Sequence, residues 1–260
     1  LLAHIARVSN PTNQHNHLTA PKLLRHCLIN EHWSVFEHVH LTMKIVTSRA
    51  ISAQILRHWG FRFQEFSQRY AEVTDFETYE ARSQDPKNRQ NSVDDLPHDV
   101  KTWFIDQQKH IQAMANSLYE QSLKKGIAKE QARMLLPVSS QTTIYVTGNI
   151  RGWITYCLSR CSPHAQKEHR DIALECRKIL FQVCPELEDG YYVLEGKKRC
   201  WLTEIMTAQK SWSSQTFGTE DRTEGVLKHL ESEIAEVRDT DFGSDARKEE
   251  IADLMILVMD

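Results

Sequence analysis

The sequence predicts an α+β domain, on three observations. Segments of helical spacing dominate, strand-like alternations are few, and the two kinds follow one another irregularly rather than in repeating βαβ order. Nine glycines in 260 residues are sparse, and neither GxGxxG nor GxxxxGK[ST] occurs, so no Rossmann turn or P-loop supports a doubly wound alternative. Any nucleotide must then be held by side chains.

Taken in order, residues 21–31 (PKLLRHCLINE) start with a proline and set Leu23, Leu24, Cys27 and Leu28 at helical spacing, which predicts a short helix with one buried face. From Val39 the pattern alternates, with Val39, Leu41, Met43 and Ile45 on one face and His40, Thr42 and Lys44 on the other, as in a half-buried strand. The segment SRAISAQILRHW returns to helical spacing through Ile51, Ile55 and the pair Gln54/Arg57, and brings Arg57 and His58 to its C-terminal end. Residues 83–98 are polar, contain two prolines and read as a long exposed loop, a kind that is usually functional at this length.

A helix is expected over 99–124, closed by Gly126. After it come a short helix to about Leu136, a strand over 142–147 (TTIYVT), a helix from about Asn149 to Arg160, and a long one from Pro163 to about Cys184. A break is expected near Cys184-Pro185 and Gly190. Beyond about Cys200 the sequence, rich in Glu, Lys and Leu, reads as the start of a separate helical unit.

The length exceeds a typical domain of roughly 100–200 residues, so one large domain or a domain with an appendage is expected. Hydrophobic residues at 40% and charged residues at 26% fit a globular chain, and no run approaches the ~18 apolar residues of a membrane span. A net charge of −3 gives no overall basic field for a nucleic-acid backbone, though local cationic clusters can still hold one or two phosphates. No nucleic-acid or membrane partner is expected. Six cysteines without a CxxC pair suit free thiols in a reducing compartment, and Cys157 and Cys161, four apart on a helix, read as core. The chain opens at Leu1 already in domain-like sequence, so a preceding segment is expected to be missing, and cytoplasmic localisation is the default.

The chemistry concentrates in RHWGFRFQEFSQRY, residues 57–70, which packs Arg57, His58, Arg62, Glu65, Ser67 and Arg69 among five aromatic residues. An amphipathic solvated element would account for it equally well by composition. Arg133 before Leu-Leu-Pro, Asn149 and Arg151 at a predicted helix start, and Arg160 before SPHAQ shift the balance. Arginine serves planar, bidentate recognition of phosphate or an imide edge, and several converging on one place point to an anionic ligand. His38 and His40 read as structural or surface residues. HxxxEH at 164–169 is neither HExxH nor HxxEH, which argues against a zinc helix.

These motifs resemble the flavin-dependent thymidylate synthases, the ThyX family. RHW-x7-S from Arg57 to Ser67 is similar to the family's Arg-His-Arg, seven residues, Ser, with Trp59 in place of the second arginine. HWSVFEH (32–38), Gln54, SQRY, ARMLLP around Arg133, GNIR around Asn149 and R-x3-HAQ-E from Arg160 to Glu168 extend the resemblance over roughly residues 1–195.

The resemblance implies a mixed sheet with surrounding helices and reductive methylation of dUMP to dTMP, with methylenetetrahydrofolate giving the carbon and FAD, reduced by NADPH, giving the hydride. It implies a dUMP site of Gln54, Arg57, Glu65, Ser67, Gln68, Arg69, Arg133 and Arg160, with Ser67 a phosphate contact rather than a nucleophile and Arg160 the catalytic residue that promotes uracil N3 ionisation. It implies FAD contacts from His32, Ser34, Arg57, His58, Trp59, Glu65, Asn149, Ile150, Arg151 and Thr155. It also implies a homotetramer with shared sites. Two departures bear on the flavin: Trp59 exchanges a cationic contact for a stacking one, and Thr155 stands where asparagine is frequent.

From about Gln209, TFG, the Gly-Val-Leu-x-His element, and Glu233/Glu236 followed by Glu250/Asp253 resemble a partial all-α nucleotide pyrophosphohydrolase of the MazG type. Like charges three apart disfavour a helix by a few tenths of a kcal/mol, which a divalent cation would relieve, so these four are candidate Mg²⁺ ligands for hydrolysis of a nucleoside triphosphate. The expected division is 1–198 and 199–260. Two competing readings are a noncatalytic nucleotide-binding protein in which Trp59 marks lost flavin chemistry, and a hydrolase for which the larger domain supplies oligomerisation.

Overall fold

A computed structural model describes residues 1–73 and 75–197. At its centre are three antiparallel strands, β1 (His40–Ser48), β2 (Phe61–Glu65) and β5 (Gln141–Asn149), in the order β1-β5-β2. The register pairs His40 with Asn149 and Ser48 with Gln141 on one side of β5, and Phe61 with Gly148 and Glu65 with Ile144 on the other. Alternation sorts the faces. Met43, Ile45, Phe61, Ile144 and Val146 turn into the core, while Thr42, Lys44, Arg62, Gln64 and Tyr145 stay exposed.

Two strands run into helices without a loop, because a polar residue at each junction caps the helix that follows. Ser48 ends β1 and its Oγ accepts the Ile51 N–H, opening α3 (Arg49–Ile55). Asn149 ends β5 and its Oδ1 accepts the Gly152 N–H at 2.8 Å, opening α6 (Ile150–Arg160). Ile51 and Ile55 from α3, Ile150, Trp153, Ile154, Tyr156 and Cys157 from α6, and Ala173, Cys176 and Leu180 from α7 (Lys167–Val183) fill the core behind the sheet. The buried Trp153 indole donates to the Leu41 carbonyl at 2.9 Å, so its N–H is satisfied. Helix α2 (Ala20–Ile29) adds Leu24, Cys27 and Leu28, following the short α1 (Leu2–Ala6).

The two-residue strands β3 (Ser83–Gln84) and β4 (Ser92–Val93) pair within the segment read as an irregular loop. Helix α4 (His98–Lys124) follows, and Gly126, at φ 82°, takes the left-handed turn that ends it. The short α5 (Lys129–Ala132) and a 3-10 turn at Arg133–Leu135 lead to β5.

Three expectations need correction. Residues 61–65 form a strand, although the arginine-rich segment carried no such reading. Helix α7 begins at Lys167 rather than Pro163, because residues 162–165 close a turn, with the Ala165 N–H donating to the Ser162 carbonyl. The break expected near Cys184-Pro185 and Gly190 falls at the first of these, where α7 ends and a short 3-10 turn spans Pro185–Leu187, while 188–197, around Gly190, is again helical. There Asp189 pairs with Arg25, and the buried Tyr191 packs on Phe181. Leu1–Val193 cluster as one compact unit and Leu194–Asp260 as a second. Glu233, Glu236, Glu250 and Asp253 lie outside the described residues.

Candidate functional site

Where β5 gives way to α6, an open cleft of about 830 Å³ forms between that junction and the turn leading into β2. Its walls are Glu37, His40, Arg57, His58, Trp59, Gly60, Arg62, Thr147, Gly148, Asn149, Arg151, Gly152, Thr155 and Arg160. Of the residues expected at a flavin site, Arg57, His58, Trp59, Asn149, Arg151 and Thr155 meet here, and Arg160 joins them from the last turn of α6.

Four arginines, Arg57, Arg62, Arg151 and Arg160, face one carboxylate, Glu37, which pairs with Arg151. The first turn of α6 adds the positive end of its dipole. Such a cleft attracts an anion. Trp59 is 95% exposed, a large apolar plane held in water beside those cations. Together they suit a ligand that joins phosphates to a flat ring. The Arg151 guanidinium also lies 5.4 Å from the Trp33 ring centroid, which fixes its direction.

His58 forms the cleft's floor. Its ring lies 4.5 Å from that of Phe61 and 5.3 Å from that of Tyr156. Burial lowers its pKa, a hydrogen bond at the Gly152 backbone opposes the shift, and the Arg160 charge adds to it. The imidazole is therefore held neutral.

The remaining expected residues lie elsewhere on this chain. Glu65, at the far end of β2, pairs with Arg49 at 3.0 Å and accepts from Ser52 and Thr142, so it buttresses the sheet rather than the cleft. Beyond it, Ser67 and Arg69 sit in a turn and Gln68 is buried. Arg69 reaches Glu130 at 3.3 Å while Arg133 donates to the Glu130 carbonyl, so those two arginines meet at one place. β2 alone separates that place from the cleft by roughly 13 Å, four residues of extended chain. Ile150 is fully buried and its N–H donates to the Val39 carbonyl, so its side chain does not reach the cleft. His32 and Ser34 are exposed on the 3-10 segment that ends in Glu37, and neither lines the cleft. Gln54 lies behind the floor, bonded to Gln166 and His169.

Arg62, Glu37, His40 and Thr147 line the cleft without having been expected there. For Arg62 the signal was present: Phe61, Phe63 and Glu65 alternate with Arg62 and Gln64, a strand pattern obscured by the aromatic density.

Residues 1–186 match the family described as Thy1, thymidylate synthase complementing protein. A probable flavin-dependent thymidylate synthase of Paramecium bursaria Chlorella virus 1 is 50% identical over 188 residues, covering 72% of this chain and 87% of the relative. A flavin-dependent thymidylate synthase of Synechocystis is 50% identical over 185 residues, covering 71% and 85%. In fold, the chain is similar to the UMP/dUMP methylase PolB of Streptomyces cacaoi bound with 5-Br dUMP, at a TM-score of 0.67 and 24% identity, covering 75% of this chain and 90% of that one. No helix among the described residues is long and apolar enough to cross a membrane.

Proposed function

Because this chain belongs to the thymidylate synthase complementing protein family, we propose that residues 1–198 convert dUMP to dTMP with FAD held in the arginine-lined cleft. It is an enzyme of the flavin-dependent thymidylate synthase class, a methyltransferase. The observation that carries the fuller reading is the convergence of Arg57, Arg62, Arg151 and Arg160 around the exposed Trp59.

The residues present fit FAD. Arg57, Arg62 and Arg151, with the first turn of α6, would hold its phosphates, Trp59 would stack on a ring, and His58, Asn149 and Thr155 would line the floor. Bound there and reduced by NADPH, FAD supplies the hydride that completes the methyl group from methylenetetrahydrofolate. Arg160 stabilises the negative charge that develops as uracil N3 loses its proton, and a preorganised cation in a cleft suits that role.

Ser67, Gln68, Arg69 and Arg133 bind the dUMP phosphate in this reading, with Gln54, Arg57 and Glu65 completing the nucleotide site. Since Arg69 and Arg133 stand apart from the cleft of their own chain, the complete site draws on neighbouring copies, as a homotetramer provides. The apolar seam of α4 supports such assembly: Val100, Phe104, Ile111, Met114 and Leu118 recur at spacings of three, four and seven and are 37–57% exposed. Residues 199–260 are read as a partial Mg²⁺-dependent pyrophosphohydrolase unit, on the strength of the pairs Glu233/Glu236 and Glu250/Asp253.

Purified protein tests the cleft directly. Bound flavin gives a visible spectrum that shifts when dUMP is added. A colourless protein that takes up no FAD when it is supplied contradicts the assignment.

A further inference from the structure

A chain of hydrogen bonds runs behind the cleft from the exposed Gln166 to the buried His169 and Tyr156, and its direction is fixed at one end. Glu168 is ionised: burial would raise its pKa, but hydrogen bonds from its own backbone N–H, Gln166 and Arg82 together hold it below the usual carboxylate range. Being ionised, it can only accept. It accepts from Arg82 at 2.5 Å and from the Gln166 amide nitrogen at 2.9 Å.

Each later link then follows. With its nitrogen committed to Glu168, Gln166 turns its carbonyl to Gln54, whose Nε2 donates to it at 2.6 Å. Gln54 must therefore present Oε1 to His169 Nδ1, 3.2 Å away. A carbonyl oxygen cannot donate, so the proton belongs on Nδ1 and Nε2 is bare. Nε2 in turn accepts from the Tyr156 hydroxyl at 3.1 Å. His169 is 1% exposed and Tyr156 fully buried, so no solvent competes at that end.

We propose that His169 is a positioning residue: its Nδ1–H locks the Gln54 amide with the carbonyl inward, leaving one Nε2–H of Gln54 as a donor to an oxygen of the bound nucleotide. This rests on Gln54 belonging to the dUMP site as read above. Among the described residues, His169 is the partner of the Gln54 carbonyl, while Gln166 engages its nitrogen. Without His169 only the solvent-exposed Gln166 contact opposes a turn of the Gln54 amide, and a turned amide sets an acceptor against the nucleotide oxygen.

Three full-length variants separate positioning from packing. In His169→Asn the side-chain nitrogen stands where Nδ1 stood and still donates to Gln54. In His169→Gln the amide reaches the position of Nε2 and meets Tyr156 only. In His169→Leu both bonds are lost. dUMP affinity of the FAD-loaded protein by calorimetry should fall roughly five- to tenfold in His169→Leu and in His169→Gln, about one net hydrogen bond, and return to within about twofold of the parent in His169→Asn. All three should keep their flavin, because His169 does not line the cleft.

If affinity instead tracks thermal stability, with His169→Asn no better than His169→Gln, or if all three bind as the parent does, the positioning role is wrong. Selective ¹⁵N-imidazole spectra of the parent protein provide a readout that needs no variant and no dUMP: a protonated Nδ1 and bare Nε2 are expected, and the opposite tautomer overturns the chain. A parent protein that binds no dUMP but shows the expected tautomer would count against the functional reading and leave the direction of the chain standing.

Discussion

Phe61 and Gly148 face each other across the β2–β5 ladder, and the Phe61 ring fills the space that a side chain at 148 would need. A Cβ built on Gly148 would lie 2.5 Å from Phe61 Cε1 and closer still to Cδ1. The same ring packs against Trp153 at 4.4 Å and His58 at 4.5 Å, so it ties the end of the sheet to both α6 and the cleft floor.

Gly148→Ala should therefore push Phe61 away from His58. Overpacking of this kind costs about 1–3 kcal/mol, and loss of flavin should accompany the loss of stability. Urea unfolding together with the flavin-to-protein ratio after gel filtration checks this. An alanine variant with parental stability and full flavin would mean that the ring relocates freely.

Trp59→Ala should leave stability within about 0.5 kcal/mol of the parent, because the side chain is 95% exposed and no core depends on it. Flavin affinity should fall by about 0.5–1.5 kcal/mol, the contribution of one stacked aromatic pair. Titration of the apoprotein with FAD, followed by Trp59 fluorescence quenching in the parent, measures it. Unchanged affinity would remove Trp59 from the flavin site.

Arg160→Ala should reduce dTMP formation by ~10²–10³-fold, the usual effect of removing one group that stabilises developing charge. Flavin binding should largely persist, since Arg57, Arg62 and Arg151 remain in the cleft. Single-turnover methylation at the parental rate would take Arg160 out of the chemistry.

His169 sets an acid limit on the fold. Burial lowers its pKa to about 4, helped by the charge of Arg160 and, once protonated in acid, by that of His58, while Gln54 and Tyr156 contact it from α3 and α6. The unfolded chain, with an imidazole near its ordinary value of about 6.5, binds the proton first. Stability from this residue is thus complete above about pH 6.5 and declines as pH falls toward 4. Urea midpoints between pH 7 and pH 4.5 should fall in the parent and fall less in His169→Leu. Parallel curves would show that another group sets the limit.

Much of the architecture was legible because it is local. The alternation of β1, the Asn149 and Gly126 boundaries and the helical spacing of α2 and α4 are written within a few residues each. Strand β2 was obscured by the density of Phe61, Phe63 and Phe66 and by Glu65, which pairs with Arg49 and puts a charge where the alternation calls for an apolar residue. The turn at Pro185–Leu187 looked like a break reaching Gly190 because proline and glycine mark turns of every size, and the packing of Tyr191 on Phe181 is not written in the local sequence. Among site residues, the arginines announced themselves by type. Glu37 and His40 did not, since only the pairing of β1 with β5 brings them beside Asn149. The direction of the Gln54–His169 bond depends on a carboxylate over one hundred positions from Gln54 in sequence, counted roughly as the loop that folding must close.

One measurement tests the central claim most directly. The FAD-loaded protein is reduced anaerobically, mixed with dUMP and methylenetetrahydrofolate carrying isotope in its methylene carbon, and the nucleotides are analysed by mass spectrometry. The account predicts dTMP whose methyl group carries the label, with flavin reoxidised in equal amount. Protein that retains reduced flavin and binds dUMP, yet forms no labelled dTMP, would contradict it.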